Sequence, residues 1–220
     1  ARYMMRLAKK HNKIVAVNYE RRWTNIYNKI REMIISRELG ELRTMVGNVL
    51  TGAFMHASWH KYLAKRGGPI LHDGVHLIDL ALFLCGKPRN IEKKIFKFDS
   101  RHKYEHTAFI RMEFDKNITA FLEIGGRRRY FNFELDLQFS DGRIIVGNSV
   151  LKLFVPDKSP RFTGFTELKE IPFPQPIERK PLLNALDEFY LVMSGQSDYI
   201  SSTGANALET MKIIDLVVND

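Results

Sequence analysis

A single cysteine, Cys85, leaves no partner for a disulfide within the chain, which excludes the stapled frameworks of small secreted domains and fits a reducing compartment. No apolar run approaches the roughly 20 residues that a membrane-spanning helix needs, and the first residues lack the build of a signal peptide. These absences predict a cytoplasmic protein with no membrane partner. No G-x-G-x-x-G turn occurs anywhere, so the phosphate-cradling turn of a dinucleotide-binding fold is missing. Repeats and low-complexity tracts are absent too.

Acidic residues are in deficit, 25 against 34 basic ones, for a formal net charge of +9. The excess is scattered in pairs and one triplet (Arg127 to Arg129), with no helix-turn-helix pattern, zinc-finger spacing or aromatic and basic platform. No nucleic-acid partner is expected. Such charge suits a solvated surface or an anionic small ligand.

What is present is enough apolar residue, 45% of 220, for one large core or two small ones. Ile26, Ile30, Met33 and Ile34 form one helical stripe, ended near Leu39 and Gly40. Leu42 to Leu50 reads as a strand. From Ile91 onward the period becomes two: Phe131, Phe133, Leu135, Leu137 and Phe139 alternate with polar residues, and Ala108 to Phe114, Thr119 to Ile124, Ile144 to Val146 and Leu151 to Val155 add strands joined by short polar turns. Short turns mean antiparallel pairing, so the fold class is α+β, an open, mostly antiparallel sheet with helices on one face. A broad sheet with one uncovered side predicts a homodimer or homotetramer through that face. Pro156 to Pro181 reads as an extended crossing segment. Two helices close the chain, Leu182 to Ser194 after Pro181, and a last one capped by Ser202 or Thr203 with Leu208, Met211, Ile214 and Leu216 inward.

The densest set of ionisable groups in an apolar setting lies in RGGPILHDGVHLIDLALFLCG, Arg66 to Gly86. Paired glycines and Pro69 break regular structure, and a buried helix follows, closed by Gly86. His72, His76 and Asp79 recur at steps of four and three, so a helix beginning near Ile70 puts them on one face. Read blandly, His76 and Asp79 are hydrogen-bonded core groups; burying several unpaired polar groups is costly, so the cluster reads better as the wall of a site. Trp59 and His60, in the loop leading into the glycine break, are expected at its rim. His72 and His76 could also ligate zinc, completed by His56, His60 or Asp79, although the H-E-x-x-H glutamate is absent.

This segment, NYERRW at Asn18 to Trp23, ISRELGEL at Ile35 to Leu42, FSDGRIIV, and the closing ALDEFYLVMSGQSDYISSTGANALETMKIIDLVV resemble, in order, the C-terminal domain of the Gfo/Idh/MocA oxidoreductase family. The resemblance implies that residues 1–17 are a remnant of the end of a Rossmann domain and residues 18–220 a substrate-binding and oligomerisation domain. It implies an NAD- or NADP-dependent dehydrogenase of a sugar or polyol, inactive as this fragment alone. In that family the residue at the place of His76 is the general acid and base, a role suited to an imidazole near neutrality. The place of His72, usually an aspartate, implies a group orienting histidine and substrate, with Asp73 beside it; Arg22 is implied in the substrate cleft, and Arg21, weakly, toward the cofactor. A non-catalytic sensor or regulatory relative is the alternative.

Overall fold

Apolar residues alternating with polar ones along successive segments need a two-faced surface, and they form one. The structure, a computed structural model, describes residues 2–51, 68–96, 107–126 and 128–219. Its strands are β1 (Leu42–Leu50), β2 (Asn90–Phe96), β3 (Thr107–Glu113), β4 (Thr119–Gly125), β5 (Asn132–Phe139), β6 (Gly142–Gly147), β7 (Leu151–Lys158) and β8 (Thr166–Ile171). They form one sheet in the order β2-β3-β4-β1-β5-β6-β7-β8. Strand β1 is parallel to β4, and every other neighbouring pair is antiparallel. Phe133, Leu135 and Leu137 of β5, Met45 and Val49 of β1 and Ala120, Leu122 and Ile124 of β4 are buried on the side that carries the helices.

The helices are α1 (Arg2–Lys10), α2 (Asn25–Ser36), α3 (Val75–Cys85), α4 (Pro181–Met193) and α5 (Gly204–Asn219). Apolar on all sides, α3 must be central: Leu77, Ile78, Leu80 and Ala81 are fully buried, and the helix packs on β1 and β4 below and on α2 and α5 beside it. Each such Leu or Ile contributes about 1.5–3 kcal/mol of burial. Gly47 permits the close approach, since a Cβ there would stand 2.9 Å from Leu77 and from Leu135. Thr203 caps α5 reciprocally: its N–H donates to the Asn206 side chain at 3.0 Å while its hydroxyl accepts the Asn206 N–H at 3.1 Å. Residues 15–17 run antiparallel to 202–204 through the bridge of Ala16 to Thr203.

Three expectations need correction. Helix α2 stops at Ser36, before Gly40, because Arg37 takes a left-handed φ of 58° and its N–H bonds the Met33 carbonyl. The segment after Pro156 is not simply an extended crossing: Pro156 lies in β7 opposite Leu168 of β8, beyond the last β6 pair, so its missing N–H takes nothing from β6. In α5 the inward stripe is Ala207, Thr210, Ile213, Ile214 and Val217, while Met211 and Leu216 are exposed. A buried hydroxyl, Thr210, sits on that stripe because it has a partner, described next.

Candidate functional site

Three short pieces of backbone meet at the amino end of α3. One is a 3-10 turn, Glu20–Trp23, following Tyr19; another is a π-helical turn, Ile70–Gly74; the third is the first turn of α3 with His76. The π-helical winding follows Pro69, and it lies against β4 only because Gly74 lacks a side chain: a Cβ would fall 2.7 Å from Ile124. Such widened turns are often found at functional sites. Of the three residues expected on one face, His76 and Asp79 stand three apart on α3 and His72 in the turn before it, and they differ in depth: Asp79 is wholly buried, whereas His72 and His76 are only partly covered.

Asp79 belongs to a buried ion pair. The Arg22 guanidinium donates through Nε and Nη2 to its two oxygens, each at 2.8 Å, and through Nη1 to the Ser201 carbonyl at 3.0 Å. The Thr210 hydroxyl donates to Asp79 Oδ1 at 3.0 Å. Glu188 of α4 in turn accepts from the Ser201 N–H and hydroxyl and from the Trp23 indole. A fork-to-fork pair with its remaining valences filled is the form in which a buried ion pair is tolerated, and removing one partner of such a pair costs about 3–5 kcal/mol. The network ties α3 to the 3-10 turn, to α5 and to the loop before it, so it fixes how α3 is rotated. Arg22, expected in the substrate cleft, has all three guanidinium nitrogens engaged by the protein.

One turn above Asp79, His76 is in a different state. Burial lowers its pKa; the carboxylates of Glu20, Asp73 and Asp79 oppose this and the charge of Arg21 adds to it. Its Nδ1 is buried with no hydrogen-bond partner among the described residues, and the Tyr19 ring packs edge-on at 6.2 Å and 82°. The Tyr19 hydroxyl is itself pushed up to about 12, by burial first and then by the charge of Asp79. His72 is the opposite case: Nδ1 lies 3.0 Å from Asp73 Oδ1, and that bond raises its pKa against the effect of burial. Asp73 Oδ2 is buried and has no hydrogen-bond partner among the described residues. Two imidazoles pushed apart in this way divide into a neutral one able to take a proton and one held toward its charged form.

Arg21 braces its guanidinium 4.0 Å above the Phe133 ring and faces Tyr27. Trp59, His60 and His56 lie outside the described residues. Among the described residues no group of three or more His, Cys, Asp or Glu side chains could hold a metal ion. Tyr19, Glu20, Ser201 and Thr210 were not singled out by sequence, although Tyr19 and Glu20 stand inside NYERRW and Ser201 and Thr210 inside the closing segment ALDEFYLVMSGQSDYISSTGANALETMKIIDLVV.

A family model, the GFO/IDH/MocA C-terminal domain, matches residues 27–145. Among characterised proteins, the D-glucoside 3-dehydrogenase of Escherichia coli (strain K12) is 28% identical over 91 residues, which are 40% of this chain and 26% of that protein. Among solved structures, an NAD-binding protein from Listeria innocua superposes with a TM-score of 0.77 at 22% identity, covering 98% of this chain and 63% of that one. The WlbA dehydrogenase from Bordetella pertussis, in complex with NADH and UDP-GlcNAcA, superposes with a TM-score of 0.73 at 14% identity, covering 98% and 63%. This chain thus spans about a quarter of the characterised relative and under two thirds of these solved chains.

Proposed function

Because this chain belongs to the Gfo/Idh/MocA family, we propose that it is the substrate-binding and catalytic part of an NAD- or NADP-dependent oxidoreductase acting on a hydroxyl of a sugar, polyol or related small molecule. The observation that carries the proposal is His76: a partly buried imidazole whose pKa burial lowers, with a nitrogen that has no partner among the described residues, near an Asp73 carboxylate oxygen that likewise has none there. A substrate hydroxyl gives its proton to the His76 imidazole while Asp73 orients it. His72, whose Nδ1 lies 3.0 Å from Asp73 Oδ1, keeps that carboxylate aimed. A nicotinamide bound by a neighbouring domain would supply the hydride acceptor for the same carbon. The ion pair of Arg22 with Asp79 positions His76 and does not touch substrate, and Arg21 shapes the charge around the imidazole. Trp59 and His60 remain proposed as rim residues. The donor set fits the proton half of this chemistry. It does not fit the dinucleotide's phosphates, for which these 220 residues offer no glycine-rich turn. Residues 1–17 are proposed as the end of the domain that would supply one.

The test is His76→Ala in a protein that carries a nicotinamide-binding domain. Turnover falls about a hundred- to ten-thousandfold, the usual share of general base catalysis, with nicotinamide binding nearly intact. A folded His76→Ala enzyme turning over at the parental rate would end the assignment. A non-catalytic relative would instead show no turnover before mutation.

A further inference from the structure

At the far end of α3 lies a cavity of about 560 Å³, between α2, α3 and α5, within the range of small-ligand sites. It opens around Leu82 to Pro88; the helical part of that stretch, Leu82 to Cys85, lies six to nine residues past His76, or about 9–14 Å along the helical rise, and the lining reaches back to Arg22 and Ser201 but not to His76. Its apolar surface comes from Leu82, Phe83, Ile91, Ile213 and Leu216. This accounts for Leu216, which is exposed at 43% although the chain's pattern puts it inward. The charge is lopsided. Arg31, Lys87 and Lys212 line the cavity against one carboxylate, Glu209, which is shared by both lysines. Arg22 adds nothing, being neutralised by Asp79. Arg31 is preset: its Nε donates to the Phe83 carbonyl at 3.3 Å, its guanidinium stands 4.9 Å from the Phe83 ring, and among the described residues no carboxylate pairs with it.

We propose that this cavity is a second binding site, for a small organic anion whose aromatic or aliphatic body lies on Phe83, Ile213 and Leu216 and whose carboxylate or phosphate meets Arg31 and Lys87. A preset guanidinium loses little side-chain freedom on binding, and an apolar floor favours a body over a bare ion. The experiment is calorimetric titration of this chain with 1-naphthyl phosphate, with 1-naphthol and inorganic phosphate as separate arms. Expected is saturable one-site binding that weakens with added salt and that drops about tenfold or more in Arg31→Gln and in Lys87→Gln, as for a lost charge-assisted contact. Leu216→Trp, which fills the floor from an exposed position, removes binding. Naphthol and inorganic phosphate each bind at least about tenfold more weakly than the combined probe. Lys87 is 83% exposed, so its variant folds as the parent does. Absence of saturation, affinity unchanged in Lys87→Gln, or inorganic phosphate binding as tightly as the naphthyl ester would overturn the proposal. None of these readouts involves hydride transfer, so they stand apart from the test at His76.

Discussion

His72 and His76 stand four residues apart and affect stability with opposite sign. For His76 the folded-state pKa is depressed by burial, so between that value and the unfolded value near 6.5 the unfolded chain binds more protons; its contribution is full above about 6.5 and is lost as pH falls. For His72 the folded pKa is raised by Asp73, so its contribution is full below about 6.5 and is lost as pH rises through the folded value. Urea midpoints of the parent, His76→Gln and His72→Gln are to be measured at about pH 5.5, 6.5 and 7.5. On acidification His76→Gln should lose less stability than the parent, and His72→Gln should lose more. Three parallel profiles would sink the placement of both imidazoles. Sequence singled out these two side chains, because an apolar helix with histidines is conspicuous. It did not reveal which groups bond Asp79: Arg22 and Thr210, which claim that carboxylate, lie 57 and 131 positions away.

Among elements, the π-helical turn is the joint between sheet and site. Gly74 has an ordinary helical backbone, φ −63°, so its need for glycine is one of space: the position a Cβ would take is 2.7 Å from Ile124 Cγ2 and 2.8 Å from its Cδ1. Gly74→Ala should cost about 1–3 kcal/mol by overpacking, read as a lowered denaturant midpoint, and Ile124→Val should restore part of it in the double variant. A Gly74→Ala protein as stable as the parent would show that the turn shifts freely. The strands β1, β3, β4 and β5 were legible because each buries one side of a period-two pattern. Strand β8 was not, since Thr166 to Glu170 are all exposed and TELKEI has no apolar alternation to betray an edge strand. The inward face of α5 was misassigned for a related reason: the cavity lets Leu216 stay open, while a hydrogen bond lets Thr210 go in, so hydrophobicity alone misplaced both.

At the scale of the whole molecule, the sheet's second face is uncovered by any described helix, and its character changes across the strands. On β5 and β6 it is polar, with Arg143 bonded to Asp136 through two contacts of 2.8 and 2.7 Å. On β2, β3, β4 and β1 apolar side chains stand among charged ones: Phe96, Phe109, Phe121 and Val46 are 36, 45, 46 and 40% exposed, Phe96 meets Phe109 edge-on at 5.8 Å, and the register sets Lys94 and Glu123 opposite Phe109 and Arg111 opposite Phe121. Exposed aromatic side chains set among ion pairs such as Arg111 with Glu92 give this face the mixed make-up of an interface, and a second copy related by a two-fold axis would cover it with itself. The chain carries a rival surface, since Leu182, Leu186, Tyr190 and Met193 recur along one exposed stripe of α4. The two are separable by charge. If the sheet makes the homodimer, light scattering at micromolar concentration gives twice the mass of the chain for the parent and for Leu186→Lys, and one chain for Phe109→Lys with Phe121→Lys. Dimers lost in Leu186→Lys but kept in the double phenylalanine variant would move the interface to α4, and a monomeric parent would rule out a sheet-face dimer for this chain.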